Sequence, residues 1–266
     1  MKPRDAAAEV RVLAILQARV SSSRLPGKVL CPVAGRPMIL RQLERIGRAR
    51  LIDQTIVATS VDASDDELVR TLEAAAIAVW RGSLDDVLDR FIQAAAKYPS
   101  RHIVRLTGDC PLTDPDVIDA VIAHHLVGGA DITGNSNQPT FPDGLDVEVV
   151  RTGRLREAAA EARHKFEREH VTQFLYRRPE RFRIAHYKAE RDLSSLRWTV
   201  DEPEDLTFVR AVYDALLPQS PSFGMYEVLA LLDARPELTS INARFARNEG
   251  LARSIHAEFR TQPVGS

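Results

Sequence analysis

The feature that most constrains this chain is an alternation of short apolar runs with amphipathic stretches, repeated from Val10 to Leu126. Val10, Val12, Leu13, Ala14, Ile15 and Leu16 form a run of strand length, and Met38, Leu40, Leu43, Ile46 and Gly47 then recur at helical spacing, with Pro37 suited to a first helical position. Asp53 to Ser60 reads as a second strand, followed by a helix through Leu68, Leu72 and Ala76 that a Ser64/Glu67 capping box opens. Ile77 to Gly82 is a third strand, and Ser83 caps a helix containing Val87, Leu88, Phe91, Ile92 and Ala95. His102 to Asp109 is a fourth, and Asp114-Pro115 starts a helix through Val117, Ile118, Val121 and Ile122. Strands that alternate with helices are joined by right-handed crossovers, which predicts an α/β domain with a mostly parallel central sheet flanked by helices.

From Gly128 the rhythm changes. Gly134 to Pro139 is loop-like, Phe141-Pro-Asp-Gly144 is a turn, and Leu145 to Val150 alternates as a strand. A long charge-laced helix is expected from Thr152 through Glu169 and on towards Tyr176, ended by Pro179. Phe182 to Tyr187 and Arg197 to Asp201 read as strands, the latter opening a helix at Glu202-Pro203. Residues 216–266 are expected to be a helical extension without a chemical motif, and residues 1–9 a short disordered start. No apolar run approaches the ~20 residues of a membrane span, so a cytoplasmic protein is expected.

Lys plus Arg number 36 against 37 Asp plus Glu, a formal net charge of -1, so no global field draws nucleic acid and any anion site is local. Cys31 and Cys110 lack disulfide or zinc spacing. The local site stands out at once. Gln17 to Lys28, directly after the first strand, carries Arg19, Arg24 and Lys28 with hydroxyls at Ser21, Ser22 and Ser23 and a glycine at Gly27. A cationic, flexible loop at the C-terminal end of a first parallel strand suits a polyphosphate. It is not a Walker A loop, and no Gly-x-Gly-x-x-Gly occurs. Read alone, it is also compatible with a solvated surface loop.

Asp109, at the end of the fourth strand, and Asp201, at the end of Arg197-Trp-Thr-Val, reach the same sheet edge. Each alone is also a turn or capping aspartate, but as a pair beside a cationic loop they suit Mg²⁺. Asp143, Asp146 and Glu148 could orient sugar hydroxyls, and Arg168, His170 and Arg197 could bind an anionic group, although His164 and Arg168 also fit a solvated helix face.

Gln17-Ala-Arg-Val-Ser-Ser-Ser-Arg-Leu-Pro-Gly-Lys28 resembles the nucleotide-binding signature of the cytidylyltransferase family that includes CMP-KDO and CMP-sialate synthetases, and within it the spore-coat polysaccharide branch. That branch usually reads Q-A-R-x-G-S-T-R-L-P-G-K, so Ser21 stands where a glycine is customary and must be accommodated locally. Leu106-Thr-Gly-Asp-Cys-Pro-Leu112 and Trp198-Thr-Val-Asp-Glu-Pro-Glu-Asp-Leu206 are similar to the family's two metal-binding segments. Val57 to Ser60 and Arg81 to Leu88 resemble the stretches around the cytidine, while Phe141 to Glu148 and Arg168 to Thr172 resemble the acceptor-side and dimer-forming part.

The resemblance implies a nucleotide-sugar-transferase (GT-A-like) fold over residues 10–215, with 128–195 as the acceptor-side and dimerisation part of a homodimer. It implies nucleotide contacts from Gln17, Ala18, Arg19, Ser22, Ser23, Arg24, Lys28, Thr59, Ser60, Arg81, Gly82, Ser83, Thr107 and Gly108, and metal ligation by Asp109 and Asp201. Arg19, Arg24, Lys28 and Asp109 are the expected catalytic residues. The implied reaction moves CMP from CTP to an acidic sugar or related small acceptor, releasing pyrophosphate, for a surface polysaccharide. Transfer to a phosphorylated sugar or polyol, giving a CDP-linked product, and glycosyl transfer from a nucleotide sugar remain as alternatives.

Overall fold

The apolar run near the start of the chain becomes the strand around which the rest assembles. The computed structural model describes residues 10–247 and 249–260; the expected disordered start at 1–9 lies outside the described residues. β1 (Val12–Gln17) is followed by a small hairpin, β2 (Pro32–Val33) and β3 (Arg36–Pro37), and by α1 (Met38–Ile46). β4 (Gln54–Ser60), α2 (Asp66–Ala74), β5 (Ala78–Gly82), α3 (Val87–Lys97), β6 (His102–Thr107) and α4 (Pro115–Gly128) continue the alternation. The second half holds β7 (Ile132–Gly134), β8 (Glu148–Arg151), α5 (Thr152–Glu161), α6 (Lys165–Glu169), α7 (Gln173–Tyr176), β9 (Ile184–His186), α8 (Pro203–Leu216), α9 (Met225–Ala234) and α10 (Glu249–Arg260).

The main sheet has seven strands in the order β5-β4-β1-β6-β8-β7-β9. β1, β4, β5 and β6 are parallel, and β8 runs antiparallel to both its neighbours. Leu13 and Ile15 pack with Leu88 and Phe91 of α3 on one face, and Ala14 and Leu16 with Met38, Ile39 and Phe208 on the other. Helices on both faces explain why β1 is apolar without alternation. The chain steps outward from β1 to β4 and β5, then returns to lay β6 on the opposite side of β1. Connections leaving adjacent strands in opposite directions open a crevice at their C-terminal ends, so the loops after β1 and β6 flank it.

Several local expectations are corrected. Asp62, not Ser64, caps the turn before α2, accepting from Ser64 N at 2.9 Å, and Asp86 rather than Ser83 caps α3. The long helix from Thr152 is broken into α5, α6 and α7, although no Gly or Pro marks either break. Arg168 donates Nη1 to the carbonyls of Ala159 and Ala162 at 3.1 and 3.2 Å, ending α5, while Glu258 accepts from the amides of Lys165 and Phe166, starting α6. Tertiary partners thus supply both missing caps.

Arg197 to Asp201 is extended but joins no sheet beyond a single bridge from Arg197 to Asp143. Trp198 N donates to Asp143 O at 2.6 Å and Val200 N to Asp109 O at 2.7 Å, so this segment is threaded between the 141–144 turn and the loop after β6. Gly144 is what permits the threading. Its φ is +109°, and a Cβ there would lie 2.6 Å from Thr199 N and Trp198 C.

Candidate active site

The crevice is a cavity of about 610 Å³ lined from both halves of the chain. Its floor is the loop after β1. Val20 O accepts from Ser22 N at 2.8 Å and from Gly27 N at 2.9 Å, closing the loop on itself. Gly27 reverses the chain at φ +73° and delivers Lys28 inward. Buried Asp65 ties the loop to the neighbouring strand, accepting from Val20 N at 2.7 Å, Thr59 Oγ1 at 2.9 Å and Ser60 N at 3.0 Å. Among the described non-glycine residues, left-handed backbone occurs at Ala34, Ala76 and Val171, so Ser21 carries no strain of the kind its customary glycine would relieve.

Lys28 is the meeting point of the charges. Its Nζ lies 2.8 Å from Asp201 Oδ1, 3.5 Å from Asp109 Oδ2 and 2.7 Å from Val200 O. Burial pulls the Lys28 ammonium down, but Asp109 and Asp201 outweigh it and hold it above the ordinary lysine value. Burial likewise works to raise the Asp109 carboxyl, but Lys28, with donors from Thr107 and Cys110, keeps it below the usual carboxylate range. Arg24 pairs with Asp201 at 2.9 Å and with Glu202 and Glu249 at 3.3 Å. Arg19 lines the cavity exposed and makes no ion pair with a described carboxylate. Gln17, Ala18, Ser22, Ser23, Thr107 and Gly108 also line it.

The other expected nucleotide residues stand at the ends of β4 and β5 and bond within the protein. Thr59 and Ser60 spend their hydroxyls on Asp65. Arg81 pairs with Asp66 at 2.7 Å and donates to Ser60 O, Ser83 accepts from Asp86 N, and Gly82 lets the Arg90 side chain pass. Arg90 was not anticipated by the sequence reading. It lines the cavity 2% exposed, with Nη1 on Ser83 O at 2.9 Å, no hydrogen-bond partner for Nε and no carboxylate in an ion pair with it. Burial, with repulsion from Arg19, lowers it to about 10. A buried cation without a protein anion is suited to a ligand's negative charge. Its signal was an arginine on the apolar face of α3, in line with Val87 and Ala94.

On the far wall, Asp143, Asp146 and Glu148 line the cavity with His170. Glu148, 4% exposed, pairs with Arg105 at 2.5 Å and accepts from Thr172 at 3.0 and 3.1 Å. Desolvation raises Asp143 to about 6 and Asp146 to about 7, against the pull of Arg247. His170 is lowered to about 4, chiefly by burial, and meets Ser254 Oγ at 3.1 Å. Two expected acceptor residues lie behind the wall. Arg168 is held by Asp86 at 2.6 Å and the α5 carbonyls, and Arg197, 7% exposed, by Asp205, Asp143 and Asp201 at 2.8, 3.3 and 3.4 Å. Neither lines the cavity. The C-terminal segment, expected to carry no chemistry, contributes Glu249, Gly250, Arg253 and Ser254 to the lining.

Residues 13–217 match the cytidylyltransferase family model. The spore coat polysaccharide biosynthesis protein SpsF of Bacillus subtilis is 31% identical over 233 residues, covering 85% of this chain and 95% of that protein. A cytidylyltransferase structure from Leptospira borgpetersenii serovar Hardjo-bovis superposes with a TM-score of 0.84 at 29% identity, over 90% of this chain and 100% of that one. CMP:2-keto-3-deoxy-manno-octonic acid synthetase complexed with CTP shares the fold, with a TM-score of 0.62 at 17% identity over 77% of this chain and 99% of that one. The match takes in the cationic loop, both strand-end aspartates and the 141–148 turn in one continuous span, and with it the chain belongs to the cytidylyltransferase family and is a nucleotidyltransferase enzyme.

Proposed function

We propose that the enzyme moves CMP from CTP to an acidic sugar or related small acceptor, releasing pyrophosphate, as a cytoplasmic step in making a surface polysaccharide. The observation that carries this is the convergence of Asp109 and Asp201 on the Lys28 ammonium, beside Arg19 and Arg24, in one cavity at the β1/β6 crevice. The likeness to a spore coat polysaccharide biosynthesis protein and to a CTP-bound CMP:2-keto-3-deoxy-manno-octonic acid synthetase supports the acceptor class.

A divalent cation fits this donor set. Asp109 and Asp201 offer hard carboxylate oxygens already turned towards one shared cation, and among the described residues no cluster of three or more His, Cys, Asp or Glu forms a closed cage, so phosphate oxygens and water would complete the shell. Mg²⁺ held by these two residues would neutralise phosphate charge and polarise the α-phosphorus. The protein's own part is positioning. Arg19, Arg24 and Lys28 bind the triphosphate and offset the charge that builds as pyrophosphate leaves, and Asp143, Asp146 and Glu148 orient the acceptor's hydroxyls. A homodimer built on residues 128–195 belongs to the same reading and is tested by sedimentation.

The deciding experiment measures pyrophosphate release with Mg²⁺ and each of the four ribonucleoside triphosphates, against a panel of 2-keto acid sugars and phosphorylated polyols. Release with CTP and a sugar acid is expected. Release only with a phosphorylated polyol would shift the reading to a CDP-linked product, and silence together with no CTP binding by calorimetry would overturn it.

A further inference from the structure

The segment after the matched residues 13–217 closes the cavity from Arg24 across to Glu169 and His170, and specific bonds fix it there. Asn242 Nδ2 donates to Arg197 O at 3.0 Å and to Asp205 Oδ1 at 2.9 Å. Arg247 donates to Asp146 and, at 2.9 Å, to Phe141 O. Glu249 meets Arg24, Ser254 Oγ donates to Glu169 at 2.9 Å, and Glu258 caps α6. α10 thereby turns one face to the cavity, with Gly250, Arg253 and Ser254 three and four residues apart.

The charges around that face leave one vacancy in function. Asp143, Asp146, Glu148 and Glu169 make this wall acidic, and its nearby cations are committed, Arg105 to Glu148 and Arg247 to Asp146 and Asp143. Arg24 and Lys28 are shared between Asp201 and its neighbours. Of the arginines and lysines lining the cavity, Arg19, Arg90 and Arg253 make no ion pair with a described carboxylate. Arg19 and Arg90 stand on the loop after β1 and on α3, the triphosphate side of the reading above. An anion brought to the acidic wall is repelled unless a cation meets it.

We propose that Arg253 is a specificity residue whose guanidinium takes the acceptor's anionic group, a carboxylate or a phosphate monoester. The assignment rests on the reading of an anionic acceptor. A guanidinium is suited to it because its planar fork pairs with either group through two hydrogen bonds. It also gives residues beyond the matched family segment a part in choosing the substrate.

The test compares the full-length wild type with Arg253→Ala and Arg253→Lys. Acceptors are 2-keto-3-deoxy-manno-octonic acid against its methyl ester, and glycerol 3-phosphate against glycerol. The wild type is expected to favour the anionic member of one pair, and which pair distinguishes carboxylate from phosphate. Arg253→Ala should raise the KM for that acceptor roughly 10- to 100-fold, leave kcat and the KM for CTP within about twofold, and erase the preference over the neutral partner. Arg253→Lys should recover part of the loss. A preference that survives in Arg253→Ala, or a KM for CTP that rises in step, would overturn the role of Arg253 alone. A wild type that favours no anionic acceptor would overturn the acceptor reading and this assignment with it.

Discussion

The two walls of the cavity are neutralised in opposite ways. On the side of the loop after β1, Arg24 and Lys28 come from one short loop, and the carboxylates backing them, Asp109, Asp201, Glu202 and Glu249, come from distant places in the chain. On the side of the 141–148 turn the carboxylates Asp143, Asp146 and Glu148 form the compact set, and the scattered partners are Arg105, Arg197 and Arg247. On the function proposed above, the loop of cations exchanges its carboxylate partners for phosphate and a divalent ion. The turn of carboxylates leans on one buried arginine, Arg197, and two half-buried ones, Arg105 and Arg247, and stripping a partner from the buried one would cost about 3–5 kcal/mol.

The largest effect should come from breaking the first wall at its centre. Asp109→Asn keeps Lys28 bonded to Asp201 and Val200 O, so the fold should survive with a urea midpoint near that of the wild type. Turnover should fall by at least about 10²-fold, through loss of charge stabilisation at the transferred phosphorus. Pyrophosphate release and equilibrium unfolding measured on one preparation check both halves, and turnover close to wild type would sink the metal assignment.

A smaller effect is expected from loosening the second wall without touching a charge. Gly144→Ala places a Cβ against the backbone of Trp198 and Thr199 in a left-handed conformation. Strain and overlap should destabilise the protein by about 2–4 kcal/mol. Because Asp143 and Asp146 flank the position while Asp201 lies two residues beyond the contact, acceptor KM should rise by more than CTP affinity falls in calorimetry. Equal damage to both would mean that the walls are mechanically one unit.

The same contrast decides what the sequence disclosed. β1, its loop and Asp109 were legible because each rests on contiguous residues: an apolar run buried on both faces, then Gly27 and the cations. Asp201 was legible only as a carboxylate after an apolar stretch. Its location depends on Val200 reaching Asp109 across the chain, a contact no periodicity displays. The break between α5 and α6 was hidden because its caps are the Arg168 guanidinium and the Glu258 carboxylate, supplied from outside the helix ends they satisfy. Arg168 and Arg197 were assigned to the acceptor because a sequence shows that a residue is cationic but not that its charge is already spent. Arg90 was overlooked for the converse reason, that an inward arginine on an amphipathic helix looks like an interruption of the core.

The smallest effect probes the junction of the two regions, where β6 meets the second half of the sheet. His125 is 1% exposed, with Nε2 3.0 Å from His102 Nδ1 and Nδ1 2.9 Å from Thr133 Oγ1. Burial lowers it to about 4, with help from His102, Arg151 and His124 and against the pull of Asp131. An unfolded histidine titrates near ~6.5, so between that pH and about 4 the unfolded chain binds more protons and stability must rise with pH. The contribution is therefore complete above the unfolded value and is lost as pH falls through the window, by up to about 3 kcal/mol. His125→Gln removes the titrating group while keeping a polar side chain beside Thr133, so its urea midpoint should drop less than that of the wild type between pH 7 and pH 5. Because Asp146, raised to about 7, titrates with the opposite sign, the difference between the two proteins is the readout, and parallel pH profiles would show that His125 is not the group responsible.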